Sequence, residues 1–150
     1  MRIVVQRVTG AELRIDGELF SSIGRGLMAL VGIECGDTEE ELQWMADKLA
    51  GLRVFDDAQG VMNLSVQETG SDIMAVSQFT LLASTRKGRR PSYIRAAAPA
   101  ESAPLYERFC LMLEERLSRT VARGRFGADM QISLTNDGPV TIVIDSRMRE

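Results

Sequence analysis

The sequence predicts a single α+β domain over residues 1–150, built mainly of antiparallel, barrel-like β-sheet with two principal helices. Three observations carry this expectation. Asp16-Gly17 and Asp137-Gly138 each stand between apolar, β-rich segments, the strongest short hairpin signal. Two other segments, beginning near Asp37 and Pro104, carry apolar residues at helical spacing. No linker, repeat or low-complexity tract divides the 150 residues, enough for one core that buries roughly 70% of the unfolded surface.

Taken in order, Arg2 to Val8 is β-rich, and Glu12 to Asp16 with Glu18 to Ile23 forms a strand pair about the first Asp-Gly turn. Gly24 and Gly26 punctuate the chain before Leu27 to Ile33, an apolar run short enough for a buried strand. A helix follows, with Thr38 and Glu41 in capping-box spacing, Leu42, Met45, Ala46 and Leu49 as its buried stripe, and Gly51 as its end. Leu52 to Phe55 and Val61 to Leu64 read as strands about Asp56 to Gly60, an acidic turn without calcium-loop spacing. Ile73 to Leu82 reads as one long strand. The second helix is expected from Pro104, with Leu105, Phe109, Met112, Leu113 and Leu117 on one face, ending before Gly124. Met130 to Asn136 and Val140 to Asp145 then read as a closing hairpin. No GxGxxG or GxxxxGK[ST] occurs, which argues against a nucleotide-binding βαβ layout.

Composition excludes much chemistry. With 45% hydrophobic and 26% charged residues the chain has the globular mix. No apolar run approaches the ~20 residues that cross a bilayer, and the N-terminus lacks a signal-peptide core, so a cytoplasmic protein without membrane attachment is expected. Histidine is absent, which removes Ser-His-Asp triads, Cys-His pairs and histidine-ligated metals. Lysine occurs only at Lys48 and Lys87, against Schiff-base and Ser-Lys schemes. Cys35 and Cys110 lack partner spacing and read as buried small hydrophobes. No metal and no cofactor are expected.

The net charge of −3 conceals a division. From Arg86 to Arg125 there are ten cations against four acids, and the densest part, Arg86-Lys87-Gly88-Arg89-Arg90-Pro91-Ser92, contains no acid at all. This is either the footprint of an anionic partner or a solvated basic loop. Two polar strings stand out in apolar surroundings. Ser77-Gln78-Phe79-Thr80-Leu81 lies in the long strand, where each buried polar atom needs a partner and alternation separates Ser77 and Phe79 from Gln78 and Thr80. Asn136-Asp137-Gly138-Pro139-Val140-Thr141 places a proline, which cannot donate to a strand ladder, directly after the Asp-Gly turn.

Together the two strings resemble the signatures of the D-aminoacyl-tRNA deacylases, formerly called D-tyrosyl-tRNA deacylases: SQFTL at Ser77 to Leu81 and NxGPVT at Asn136 to Thr141. The opening Met1 to Val8, the loop Lys87 to Ser92 and the segment Arg125 to Met130 extend the resemblance along essentially the whole chain. Tyr93, where the family commonly has Phe, and Cys110 depart from its pattern without touching either motif.

The resemblance implies a homodimeric enzyme that hydrolyses the ester joining a D-amino acid to the terminal adenosine of tRNA, and that also removes glycine. It further implies that Gly138 and Pro139 form a cis peptide reaching into the partner subunit's pocket, where an L-side chain collides with them. An aminoacyl ester is already activated and the ribose 2′-OH can assist water, so the strand Ser77, Gln78, Phe79 and Thr80 need only position it and supply backbone N–H donors at Phe79 and Thr80. Thr80 as covalent nucleophile is the rival mechanism, and it lacks an adjacent base. Phe126, Gly127 and Met130 are candidates to hold the adenine, and Arg86, Lys87, Arg89 and Arg90 to contact tRNA phosphates. A dimeric RNA-binding β module without catalysis is the alternative of a different class, and aminoacyl-tRNA is the expected partner under the enzyme reading.

Overall fold

A computed structural model describes residues 1–149. Its longest strands are β1 (Arg2–Ile15) and β8 (Met130–Asp145), which pair antiparallel from Arg2 opposite Asp145 to Ile15 opposite Met130. The other edge of β1 is shared. Its first half pairs with β3 (Gly26–Gly32) and its second half with β2 (Glu18–Ile23), both antiparallel. β3 continues in parallel to β6 (Asp72–Ser77), and β6 in parallel to β7 (Ala122–Arg123). Ser21 Oγ of β2 donates to the Arg123 carbonyl at 2.9 Å, which brings the last strand back to the first and nearly closes a barrel. Parallel β3 and β6 need a crossover, and it carries α1 (Glu39–Ala50), the small hairpin β4 (Phe55–Asp56) and β5 (Met62–Leu64), and the single-turn α2 (Val66–Thr69).

Two apolar clusters fill the domain. One lies between the sheet and the helix pair α1 and α3 (Pro99–Leu117), with Ile3, Leu27, Leu42, Leu49, Phe55, Phe109 and Leu113 fully buried. The other fills the barrel, from Val8, Leu13, Met28, Met74 and Val76 to the partly buried Met130 and Ile132. The Tyr106 hydroxyl donates to the Ala75 carbonyl at 2.9 Å and fastens α3 to β6. Burial holds that phenol well above its ordinary range. Among the described residues no helix is long and apolar enough to cross a membrane.

The α+β class and the two principal helices are as expected, with six corrections. The closing hairpin is absent, because β8 runs unbroken along β1 and the Asn136 to Thr141 string is a bulge within it. The long strand ends at Ser77, where the chain turns into a single 3-10 turn, Phe79–Leu82. The second helix begins at Pro99 and holds Pro104 in its interior; fixed φ suits proline to the first helical position, and Pro99 takes it. α2 was not expected, although Ser65 and Glu68 form its capping box, and neither was β7. Cys110 is buried as expected and its thiol is pushed up to about 12 by desolvation, but Cys35 is exposed in the turn that leaves the sheet for α1.

Candidate active site

A cleft of about 580 Å³ opens where β6 ends, lined by Val76 and Ser77 of the strand, by Gln78 and Phe79 entering the 3-10 turn, and by the start of α3. Gly32 of β3 lies under this turn. A Cβ there would sit 3.1 Å from the Gln78 carbonyl oxygen and 3.2 Å from the Leu81 Cβ, so the close approach of the turn to the sheet favours glycine. Arg2 fixes the far end of the turn. Its Nη1 donates to the Leu81 carbonyl at 3.0 Å, while Nε and Nη2 donate to Asp145 Oδ2 at 2.9 and 2.8 Å.

Because the chain turns after Ser77, strand alternation no longer applies, and Ser77, Gln78 and Phe79 all face the same cleft. Thr80 is not among the lining residues, and Gln78 Nε2 donates to its hydroxyl oxygen. Within the turn the Leu81 N–H reaches the Gln78 carbonyl at 3.3 Å and the Ala83 N–H reaches Thr80 at 3.1 Å. The N–H groups of Phe79 and Thr80, first in the turn, meet no acceptor among the described residues.

The same cleft is lined by Phe126, Gly127 and Met130, the residues expected to hold a base, so two distant sequence segments share one site. Sequence reading missed a third. Tyr93, the run Ala96 to Pro99, and Ser102 also line the cleft, and the small side chains of that run leave the space open. The segment is held by the residues that follow β3: Cys35 N–H donates to the Arg95 carbonyl at 2.9 Å, Ala97 N–H to the Ile33 carbonyl at 3.1 Å, and Arg95 Nε to the buried Glu34 carboxylate at 2.8 Å. That hydrogen bond raises the Arg95 pKa further. Among the described residues the cleft is lined by no carboxylate, amine or thiol, and the one ionisable side chain there is the Tyr93 phenol. No group of three or more His, Cys, Asp or Glu that could hold a metal ion occurs among the described residues.

The second motif lies elsewhere on the surface. Gln6 of β1 pairs with Thr141 and Val8 with Asn136, so the four residues Asp137, Gly138, Pro139 and Val140 stand opposite Arg7 alone, and the surplus is expelled. Asn136 ties its base, donating from Nδ2 to the Arg7 and Val140 carbonyls at 2.9 Å each, while Thr141 Oγ1 donates to Asn136 Oδ1 at 3.4 Å. Arg7 is buried beneath, its Nη1 on the Val54 carbonyl at 2.6 Å and its Nε 3.1 Å from Asp137 Oδ2, out of line for a hydrogen bond. Gly138 adopts φ +115° and its peptide to Pro139 is cis. A Cβ on Gly138 would meet Arg7 Nη2 at 3.0 Å, a second reason for glycine. Gly138 and Pro139 are exposed and do not line the cleft of their own chain.

A family model described as D-Tyr-tRNA(Tyr) deacylase matches residues 4–145. The chain belongs to that family. It is 55% identical over its full length to a Bacteroides thetaiotaomicron protein named D-aminoacyl-tRNA deacylase, and 56% identical to one of the same name from Akkermansia muciniphila, each covered completely. Among solved structures, a protein described as c-Myc DNA Unwinding Element Binding Protein superposes with a TM-score of 0.91 at 40% identity, covering 97% of this chain and 98% of its own. A probable eukaryotic D-amino acid tRNA deacylase superposes at 0.84 with 20% identity over 95% and 97% of the two chains, a likeness of fold. The family is one of D-aminoacyl-tRNA deacylases, so the chain is a hydrolase.

The charge division also resolves. Of the ten cations between Arg86 and Arg125, Arg95, Arg108, Arg116 and Arg123 form intramolecular ion pairs, with Glu34, with Glu39 and Glu115, with Asp47, and with Glu107 and Glu114. Arg86, Lys87, Arg89 and Arg90 pair with no carboxylate among the described residues. They stand in an exposed loop whose foot is a mutual backbone pair, Ser84 N–H to Ser92 O at 2.8 Å and Ser92 N–H to Ser84 O at 2.9 Å.

The bulge gives a stability prediction. Asn136→Ala removes both 2.9 Å bonds and lowers the unfolding free energy by about 1–3 kcal/mol, read from urea denaturation, whereas Thr141→Val, losing only longer contacts at an exposed residue, costs less than half of that. Equal costs would mean that Asn136 does not carry the bulge.

Proposed function

We propose that the chain removes D-amino acids from tRNA by hydrolysing the ester to the terminal ribose, with the protein supplying position and electrostatics and the RNA supplying the acid-base group. The observation that carries this reading is the chemistry of the cleft, in which neither a base nor an activated nucleophile stands beside the acceptor-free N–H of Phe79, with the acceptor-free N–H of Thr80 next along the same turn. The aminoacyl group sits against Ser77, Gln78 and Phe79, and the carbonyl oxygen points to the N–H groups of Phe79 and Thr80. Water, assisted by the neighbouring 2′-OH, adds to the carbonyl carbon, and the negative charge that forms on oxygen is met by these donors. The C–O bond to the ribose then breaks, the ribose oxygen takes a proton, and free amino acid and tRNA leave. In an apolar cleft each such dipole acts through a lower dielectric than in water.

The covalent alternative is less well supported. Thr80 Oγ1 already accepts a hydrogen bond from the Gln78 amide, and an amide cannot take its proton. Chiral selection is assigned to Gly138 and Pro139 of a second subunit, since a projecting bulge that misses its own cleft is suited to complete another. In a two-fold dimer each chain both gives and receives this element. An L-side chain collides with it, a D-side chain points away, and glycine, having none, passes; the expected substrates are therefore D-aminoacyl-tRNA and glycyl-tRNA, in the cytoplasm where both occur. Binding of RNA without catalysis is the second reading, favoured by the four unpaired cations of the Arg86 to Arg90 loop.

Four outcomes follow. D-tyrosyl-tRNA is cleaved at least 100-fold faster than L-tyrosyl-tRNA, on the estimate that a steric clash of a few kcal/mol separates them, and Thr80→Ala retains activity within about ten-fold. Equal turnover of the two esters overturns the selection, an acyl adduct on Thr80 overturns the RNA-assisted mechanism, and tRNA binding that leaves every ester intact establishes the non-catalytic reading. A mixed dimer of one Gly138→Ala chain and one Ser77→Trp chain retains one site of two with normal D/L discrimination; no intact site overturns the exchange between subunits. Reversing Arg89 and Arg90 to Glu weakens tRNA binding and lowers the slope of log affinity against log salt by about two, leaving discrimination unchanged. An unchanged slope makes the loop a solvated surface.

A further inference from the structure

Two aromatic rings stand at the mouth of the cleft where the fold gives them no cover. Phe79, the first residue of the 3-10 turn, and Tyr93, just beyond the foot of the basic loop, meet edge to face with centroids 5.0 Å apart and planes at 72°. Phe79 remains 56% exposed and Tyr93 39%, whereas Phe55, Phe109 and Tyr106 are fully buried. Among the described residues the Tyr93 hydroxyl has no hydrogen-bond partner. An aromatic pair left open to water gives up the burial that ordinarily accounts for such side chains.

We propose that the Phe79–Tyr93 pair is a stacking site for the base of the nucleotide immediately 5′ to the one that carries the ester. This assignment rests on the deacylase reading and extends it to a second nucleotide. Both rings also line the cleft, so the terminal nucleoside and this platform are contiguous. The Ser84–Ser92 backbone pair places Tyr93 one residue from the foot of the loop that holds Arg86, Lys87, Arg89 and Arg90, all exposed and without carboxylate partners. A strand whose terminal ester lies in the cleft and whose phosphates run toward those cations therefore crosses the rings with its next base. Stacking of this kind needs only the π-face of the base, which an open aromatic pair can cover without any hydrogen bond to its edge. The contact is distinct from the wall of Phe126, Gly127 and Met130, the candidates for the terminal base, which lines the cleft from another segment.

The experiment compares kcat/KM on three D-tyrosyl esters: of adenosine, of a dinucleotide with one further 5′ nucleotide, and of the same dinucleotide lacking the second base. The wild type gains about ten-fold from adenosine to the full dinucleotide, chiefly in KM, and loses most of that gain with the abasic form. In Tyr93→Ala the ratio of dinucleotide to adenosine ester falls close to that of the abasic form, and in Tyr93→Phe, which keeps the ring, it is retained. A gain that is the same in Tyr93→Ala and wild type, or the same with and without the second base, overturns the stacking site alone. Failure of the wild type to cleave any of the three esters overturns the deacylase reading and this assignment together.

Discussion

The architecture depends on one pairing, that of β1 with β8 along their whole lengths. Two strands of unequal residue count can stay in register at both ends only if the longer one expels its surplus, and the expulsion occurs opposite Arg7. Every feature of the second motif follows from that constraint. Asn136 closes the base of the bulge by bonding both strands, Arg7 fills the space beneath, and Gly138 takes a backbone conformation and a contact that a side chain would obstruct. The bulge is thus held by the sheet but belongs to the outer surface.

The same strand supports the cleft from its other end. Arg2, the first residue of β1, spans from Asp145 of β8 to the Leu81 carbonyl, so the pairing that expels the bulge also anchors the turn bearing Phe79 and Thr80. Desolvation opposes ionisation of Asp145, yet the Arg147 N–H and the Arg2 guanidinium outweigh it and hold the carboxyl below its ordinary range. The anchor accordingly keeps its charge across neutral pH.

Much of the fold was legible because its signals are local. The Thr38 capping box, the Leu42 to Leu49 stripe and the Asp16-Gly17 turn each need only a few neighbouring residues to declare an element, and α1, β1 and β2 form there. What was not legible depends on partners far along the chain. An Asp-Gly-Pro string reads as a hairpin when no other strand is in view, and becomes a bulge only because β1 is long enough to pair with both flanks. Ile73 to Leu82 reads as one strand because nothing in its own residues shows that Gly32 leaves room for a tight turn beneath Gln78. The motifs drew attention to Ser77 to Thr80 and to Gly138-Pro139, but Tyr93 carries no motif, and only its place beside Phe79 gives it a part in the site.

A cleft without an ionisable base is consistent with the substrate class once the energetics of the bond are considered. An unactivated amide needs a strong nucleophile and a proton donor to its leaving group, tasks for which histidine, cysteine or a metal is usually recruited. An aminoacyl ester has an alkoxide leaving group with a hydroxyl beside it, so the remaining demand is for orientation and for stabilising one developing charge. Backbone N–H groups meet that demand at any pH, since they do not titrate. On the proposed reading selectivity comes from shape, and the bulge on β8 is backbone fixed at both ends by strand pairing.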